Sequence, residues 1–393
     1  MDTAEIIAMF DKYVIANYGR LPRAIVRGEG NYLYDADGAT ILDMFPRWAV
    51  IAIGHCHPRV VEAIRDQAGQ LLHIDNTFYI PQQGQLAKRL SQRAFGCKCF
   101  FCNSGAEANE AALKLARKHT PREKYKFITA EGSFHGRTFA TVSATAQPKY
   151  HEGFLPMLPG FEYVPFNDCE AMEAAFSDEV AGVMIEPIQG EGGINVATEE
   201  YMQTIRRLCD ENGAVMILDE VQTGLGRTGE WFGYKHYDVM PDIITMAKAL
   251  GGGVAIGAMM ATEHIAASLV PGTHASTFGG NPLACAAGIA VIEAIEEEYL
   301  LDNAIKMGQY TADKLQQLAE KHPVIDHVRG KGLMIGIKLT GPGAKIVDGC
   351  LEKGLRINCT QGDVLRFMPS MTVTGDQIDE AIEILESVLA QES

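Results

Sequence analysis

Lys248 stands in the stretch PDIITMAKALGGG, between an apolar run (Ile243, Ile244, Met246, Ala247) and three successive glycines. An ammonium group needs water or an anion, and that run supplies neither. Burial lowers a lysine's pKa and frees the uncharged amine to act as a nucleophile toward a carbonyl group. The plainer reading is a lysine that extends its head to solvent from a strand end. Asp219 follows five apolar residues in AVMILDEVQ, where an open parallel sheet presents its ligand-binding edge. Taken alone, that acid suits a structural cap, a metal or a protonated ring nitrogen. The third group is in FFCNSGAEANEAALKLARK, where Asn103, Ser104 and Gly105 join an apolar strand to a helix. Ser104 and Glu107 have capping-box spacing, and Ala108, Ala111, Ala112, Leu115 and Ala116 recur at helical intervals. A small-residue helix start offers free N–H groups and a positive dipole end, which suit a phosphate, although an ordinary capped helix has the same pattern.

A phosphate cradle, an acid at a strand end and a desolvated lysine together suit pyridoxal phosphate. The lysine holds the cofactor's carbonyl carbon, and the acid keeps its ring nitrogen protonated so that the ring withdraws electrons. Gly224, Gly226 and Gly229 satisfy G-x-G-x-x-G, but residues 219–223 separate them from the strand and no helix pattern follows. A dinucleotide fingerprint needs strand, glycines and helix to be continuous, which argues against that site here.

These residues need a frame. Short apolar strands (KCFFC, YKFIT, VAGVMIEP, AVMILDE, DIITMA) alternate with helical patterns through the middle of the chain, which reads as an α/β domain on a mostly parallel sheet. NYLYDADGATILDM reads as a hairpin turning at Asp35–Gly38. Near the end, strand-like LMIGIKLT precedes a helix with Ile378, Ile382, Leu385 and Leu389 at helical spacing. Residues 1–45 and 291–393 are therefore expected to build one small α+β domain beside a large domain over 46–290.

Composition limits the partners. The net charge of −16 on 393 residues argues against nucleic acid and anionic membranes, and no apolar run is long enough for a transmembrane helix. The acidic start, MDTAEIIAMF, lacks a leader composition, so the cytosol is the expected compartment. Cys97, Cys99 and Cys102 in CKCFFC, and His55, Cys56 and His57 in HCHP, lack a second half at zinc spacing, so no metal is expected.

The chain as a whole resembles the class III aminotransferases of pyridoxal-phosphate fold type I, most of all the acetylornithine group. GEGNYLYDADG, GHCHP, NSGAEANEAALKLARK, SFHGRT, EPIQGEGG, LDEVQTGLGRTG, MAKALGGG, STFGGNPLACAAG and LRFMPS carry the likeness in order. The resemblance implies that Lys248 holds the cofactor and moves the proton, with Asp219 on the ring nitrogen and Gln222 near the ring hydroxyl. Ser104, Gly105, Ala106, Glu220 and Val221 would also bind the cofactor, Phe134 would stack on its ring, and Thr277 would reach the phosphate in a neighbouring subunit. Arg137, Ser276 and Tyr18 would contact substrate. Arg366 would take the α-carboxylate of glutamate or 2-oxoglutarate, and Glu191 would cover Arg366 while the other donor reacts. The implied reaction is a ping-pong transfer from N-acetylornithine to 2-oxoglutarate by a homodimer. N-succinylornithine, succinyldiaminopimelate, ornithine and 4-aminobutyrate are the neighbouring donors, and a catalytically silent fold relative is the non-enzyme reading. One departure is FPRWAV, where relatives often carry small or neutral residues. Arg47 there either favours an acidic substituent or points to solvent, which Arg47→Gly kinetics with acetylated and succinylated donors distinguish.

Overall fold

The computed structural model describes residues 1–391. In chain order its first strands are Ile25–Glu29 (β1), Tyr32–Asp35 (β2), Thr40–Asp43 (β3), Lys98–Cys102 (β4), Lys126–Ala130 (β5), Phe161–Val164 (β6) and Val180–Ile185 (β7). Ile188–Gln189 (β8), Asn195–Val196 (β9), Val215–Asp219 (β10), Ile243–Met246 (β11) and Gly257–Ala261 (β12) follow. The last are Ile325–Lys331 (β13), Met334–Leu339 (β14), Leu355–Arg356 (β15), Asn358–Thr360 (β16) and Val364–Phe367 (β17).

The large sheet has the order β4-β12-β11-β10-β7-β5-β6. Only β12 pairs antiparallel with its neighbours, so the sheet is mostly parallel, as the alternating pattern predicts. Every residue of β7, β10 and β12 is buried, as expected of strands covered on both faces. The helix Gly105–His119 leaves β4 and packs its alanine face on β11 and β12. Small side chains there bring helix and sheet close together. Asp219 and Thr245 are register partners on β10 and β11, so Asp219 and the turn that begins at Lys248 share one sheet edge.

The expected hairpin forms, with β2 antiparallel to β3. Its outer partner comes from the far end of the chain, because β15 pairs parallel with β3. A second antiparallel sheet, β13-β14-β17-β16, carries Arg366 on β17 and is backed by the helix Leu300–Lys321, on which the last helix, Gly375–Leu389, packs. Ile378, Ile382, Leu385 and Leu389 form the buried stripe of the last helix, and Thr374 and Gln377 close its capping box. The β8–β9 ribbon holds out the loop 190–194, which contains Glu191. Among the described residues no helix is long and apolar enough to cross a membrane.

Candidate active site

A cavity of about 470 Å³ opens at the edge where β10 and β11 end. Lys248, Asp219, Gln222, Val221 and Phe134 line it, together with Ser104, Gly105 and Ala106 at the helix start and Arg137 and Glu191 from two loops.

Lys248 opens a short 3-10 turn with φ +36°, a left-handed conformation that a β-carbon disfavours. Backbone strain of this kind persists only where the surroundings impose it, and it concentrates at functional sites. Burial pushes the Lys248 ammonium pKa down, while Glu191, Asp219 and Glu186 pull it partly back. The net shift is downward, toward the free amine.

Asp219 is held from behind. His135 Nδ1 and Asn109 Nδ2 each lie 2.8 Å from Asp219 Oδ2, and the Val221 N–H donates to Oδ1 at 3.0 Å. Asn109 is fixed in turn, because its amide also donates to the His135 carbonyl at 2.7 Å and its Oδ1 accepts from Thr245 at 2.6 Å. Sequence reasoning missed this brace of Asn109, His135 and Thr245. His135 was within reach, lying beside Phe134 in SFHGRT, but Asn109 and Thr245 meet Asp219 only through the fold.

Nothing among the described residues hydrogen-bonds to the N–H groups of Gly105 and Ala106. A β-carbon on Gly105 would lie 2.8 Å from Val221 Cγ1, so only glycine lets the helix start approach that loop. Ser104 caps the helix through Glu107 N at 3.2 Å, but Glu107 bonds the Asn103 N–H at 2.5 Å instead of closing the box on Ser104. Gln222 Oε1 and His135 Nε2 are buried without partners, and both residues line the cavity. Free N–H groups, an unpaired amide oxygen, a braced acid and a desolvated lysine in one cavity fit a phosphorylated pyridine aldehyde.

The arginines occupy different states. Arg366 is buried, and its Nη1 bonds Glu191 Oε1 at 2.8 Å over the face of Phe45. Burial raises the Glu191 carboxyl, but the Arg366 guanidinium outweighs this and holds its pKa below the ordinary value. Arg137 is exposed, has no carboxylate partner among the described residues and stacks on Tyr150 with its guanidinium carbon 4.0 Å from the ring centre. Arg47 also reaches the cavity, with no ion pair among the described residues. It begins three consecutive left-handed residues, Arg47, Trp48 and Ala49, at φ +55°, +53° and +68°.

Other expected residues lie elsewhere. Glu220 does not line the cavity. Its carboxylate accepts from Gly233 N at 2.8 Å, Tyr234 N at 2.7 Å and the Thr223 hydroxyl, so the side chain secures the following loop. Burial raises its pKa to about 7. A folded-state pKa above the unfolded value means that Glu220 costs stability progressively as pH rises from about 4.5 to about 7. Relative to the native protein, Glu220→Gln should therefore gain stability between pH 5 and pH 8, whatever its starting offset. Urea unfolding across that range checks this, and a constant difference would contradict it. Thr277 and Tyr18 are exposed and outside the cavity, while Ser276 accepts from Asn103 Nδ2 at 3.3 Å beside a second cleft.

The Aminotransferase class-III family model matches residues 13–389. An acetylornithine aminotransferase from Caldanaerobacter subterraneus is 52% identical over 385 residues, covering 97% of this chain and 98% of that protein. One from Methanocaldococcus jannaschii is 51% identical over 384 residues, covering 97% and 96%. Among solved structures, the ornithine aminotransferase of Toxoplasma gondii superposes with a TM-score of 0.95 at 33% identity, covering 100% of this chain and 96% of that one. The acetylornithine aminotransferase of Elizabethkingia anophelis gives 0.89 at 32% identity, covering both chains fully. With its family model matched almost end to end, the chain belongs to the class-III aminotransferases.

Proposed function

We propose that this chain transfers the distal amino group of N-acetylornithine to 2-oxoglutarate, giving N-acetylglutamate 5-semialdehyde and glutamate, a step of arginine synthesis. The observation that carries the two-substrate reading is an open guanidinium, Arg137, on the cavity around Lys248, together with a covered one, Arg366, held behind the Glu191 that lines the same cavity. The choice of N-acetylornithine rests on the likeness to relatives of that name.

Pyridoxal phosphate, when bound, supplies an aldehyde that takes up the amino group and a ring that withdraws electrons from the substrate carbon. Gly105 and Ala106 would give N–H groups to the phosphate, Asp219 would face the ring nitrogen, Gln222 the ring hydroxyl and Phe134 the ring face. Lys248 Nζ, favoured as the free amine, would take the proton from the amino-bearing carbon and return it to the carbon on the other side of the shared nitrogen. Arg137 would grip the donor carboxylate with its planar fork, leaving the distal amine nearest Lys248. Glu191 neutralises Arg366 during that half and releases it for 2-oxoglutarate. One pocket thereby serves an ω-amine and an α-amine.

The exposed Thr277, with Phe78, Tyr79 and Phe278 also open to solvent, supports a homodimer in which Thr277 and Ser276 complete the neighbour's site. The reading places the enzyme in the cytosol and assigns residues 46–290 to the cofactor-binding domain, with both chain ends forming the smaller one. The test is the visible spectrum of the purified holoenzyme. N-acetylornithine alone should bleach the cofactor band and 2-oxoglutarate should restore it. A band that ignores N-acetylornithine but answers ornithine, 4-aminobutyrate or a succinylated donor would reassign the substrate. No band after adding pyridoxal phosphate would sink the catalytic reading.

A further inference from the structure

Both halves of the Arg366–Glu191 pair are held by one short strand. Side chains alternate along β16, so Asn358 and Thr360 lie on the same face. Asn358 is the register partner of Arg366, and its Oδ1 accepts from Arg366 Nε at 2.8 Å and Nη2 at 2.5 Å. Nη1 is left to meet Glu191 Oε1 at 2.8 Å and the Gly190 carbonyl at 3.2 Å. Two residues along, Thr360 Oγ1 donates to the Glu191 carbonyl at 2.7 Å, and Gln361 Nε2 donates to the same oxygen at 2.5 Å.

The backbone around Glu191 is pinned on either side as well. Gly190 N donates to Glu186 Oε2 at 3.1 Å. Arg329 donates to the Gly193 carbonyl at 2.6 Å and to the Ile194 carbonyl at 3.2 Å. Ile194 is fully buried with φ +58°, a conformation rare for a β-branched residue, and so is imposed by its surroundings. Arg366 therefore does not need Glu191 to stay aligned, and the loop cannot readily lift as a unit. Of the pair, the Glu191 side chain is the one open to the cavity, which it lines; it is 17% exposed where Arg366 is 1%.

We infer that Asn358 and Thr360 are positioning residues that make the pair a single-side-chain gate. Asn358 keeps the guanidinium aimed at the cavity when Glu191 swings away, and Thr360, with Gln361, keeps the hinge still. The amide suits this task because it orients the guanidinium while leaving its charge for an incoming carboxylate. An acid at 358 would neutralise that charge permanently. The inference rests on the reading that Arg366 receives a carboxylate of 2-oxoglutarate.

The test measures the two half-reactions of the holoenzyme separately in single turnovers. Asn358→Leu and Thr360→Val should each raise the half-saturating 2-oxoglutarate concentration about tenfold, the scale of loosening hydrogen bonds around a charged group. Both should leave the N-acetylornithine half-reaction within about twofold, because that donor uses Arg137. Asn358→Asp should weaken 2-oxoglutarate binding as well, although Arg366 stays oriented. Thr360→Ser, which keeps the hydroxyl, should behave like the native enzyme. Equal losses in both half-reactions, or no loss in either, would overturn the inference. If Asn358→Leu fails to fold, the Thr360→Val and Thr360→Ser pair decides alone. A native holoenzyme that reacts with neither substrate would instead defeat the underlying transaminase reading, before any variant is made.

Discussion

Lys248→Ala should fold and keep its thermal midpoint within a few degrees, yet turn over at least ~10⁴-fold more slowly than the native enzyme. The fold should survive because the change removes a poorly solvated amine beside an open cavity and leaves no hydrogen-bond partner stranded. The chemistry should not survive, because no other amine is held in that cavity between Asp219 and Glu191. Arg47, Arg137 and Arg366 carry guanidinium groups, not amines. A small primary amine added to the variant should restore a measurable fraction of the rate. Restoration separates a missing amine from a damaged site, and a variant retaining a tenth of native turnover would remove Lys248 from the mechanism. The downward shift of Lys248 adds a pH consequence. In the native enzyme, any rise of activity with pH that reports this amine should be complete below the ordinary lysine range of about 10.4.

Lys248, Asp219 and the Asn103–Gly105 helix start were legible in the sequence because each is marked by its own neighbours. An apolar run ending in glycines, a strand ending in an acid and a capped alanine-rich helix are local signals. What the sequence hid is what holds those groups. Asn109 and Thr245 are unremarkable polar residues in their own segments, and their significance arises where the helix Gly105–His119 and β11 meet beside Asp219. The sheet order was only partly legible. Alternating strands and helices imply a parallel sheet, but nothing local shows that β12 inserts antiparallel between β4 and β11 or that β15 completes the N-terminal hairpin. Thr277 and Tyr18 are exposed outside the cavity and Ser276 lines a second cleft, so a single chain does not bring them to Lys248.

Asp219→Asn is the sharper test of the cofactor reading, because it preserves shape and changes only charge and hydrogen-bond polarity. Asp219 Oδ2 accepts from Asn109 and lies within hydrogen-bond distance of His135, while Oδ1 accepts from Val221 N. An asparagine has one oxygen for these donors, and its amide NH₂ must face either a backbone N–H or the Asn109–His135 pair. If the oxygen stays with Asn109, the NH₂ lies against Val221 N, at the loop that also carries Gln222. If the amide flips, the brace itself opens. Either way the cavity loses its carboxylate at the β10 edge, and a protonated ring nitrogen loses its counter-charge. Removing one partner from a buried, hydrogen-bonded charge pair costs about 2–5 kcal/mol, so turnover should fall roughly 10²- to 10³-fold or more. Cofactor should still bind through Lys248 and the helix start, giving a visible band shifted from the native one. A loss below tenfold with an unshifted band would mean that Asp219 only caps its strand, as its position alone always allowed. Asn109→Ala then separates brace from charge. It leaves the Asp219 carboxylate in place and removes one of its donors, so its loss should be clearly smaller than that of Asp219→Asn. Equal losses would show that the geometry imposed by the brace matters more than the charge it holds.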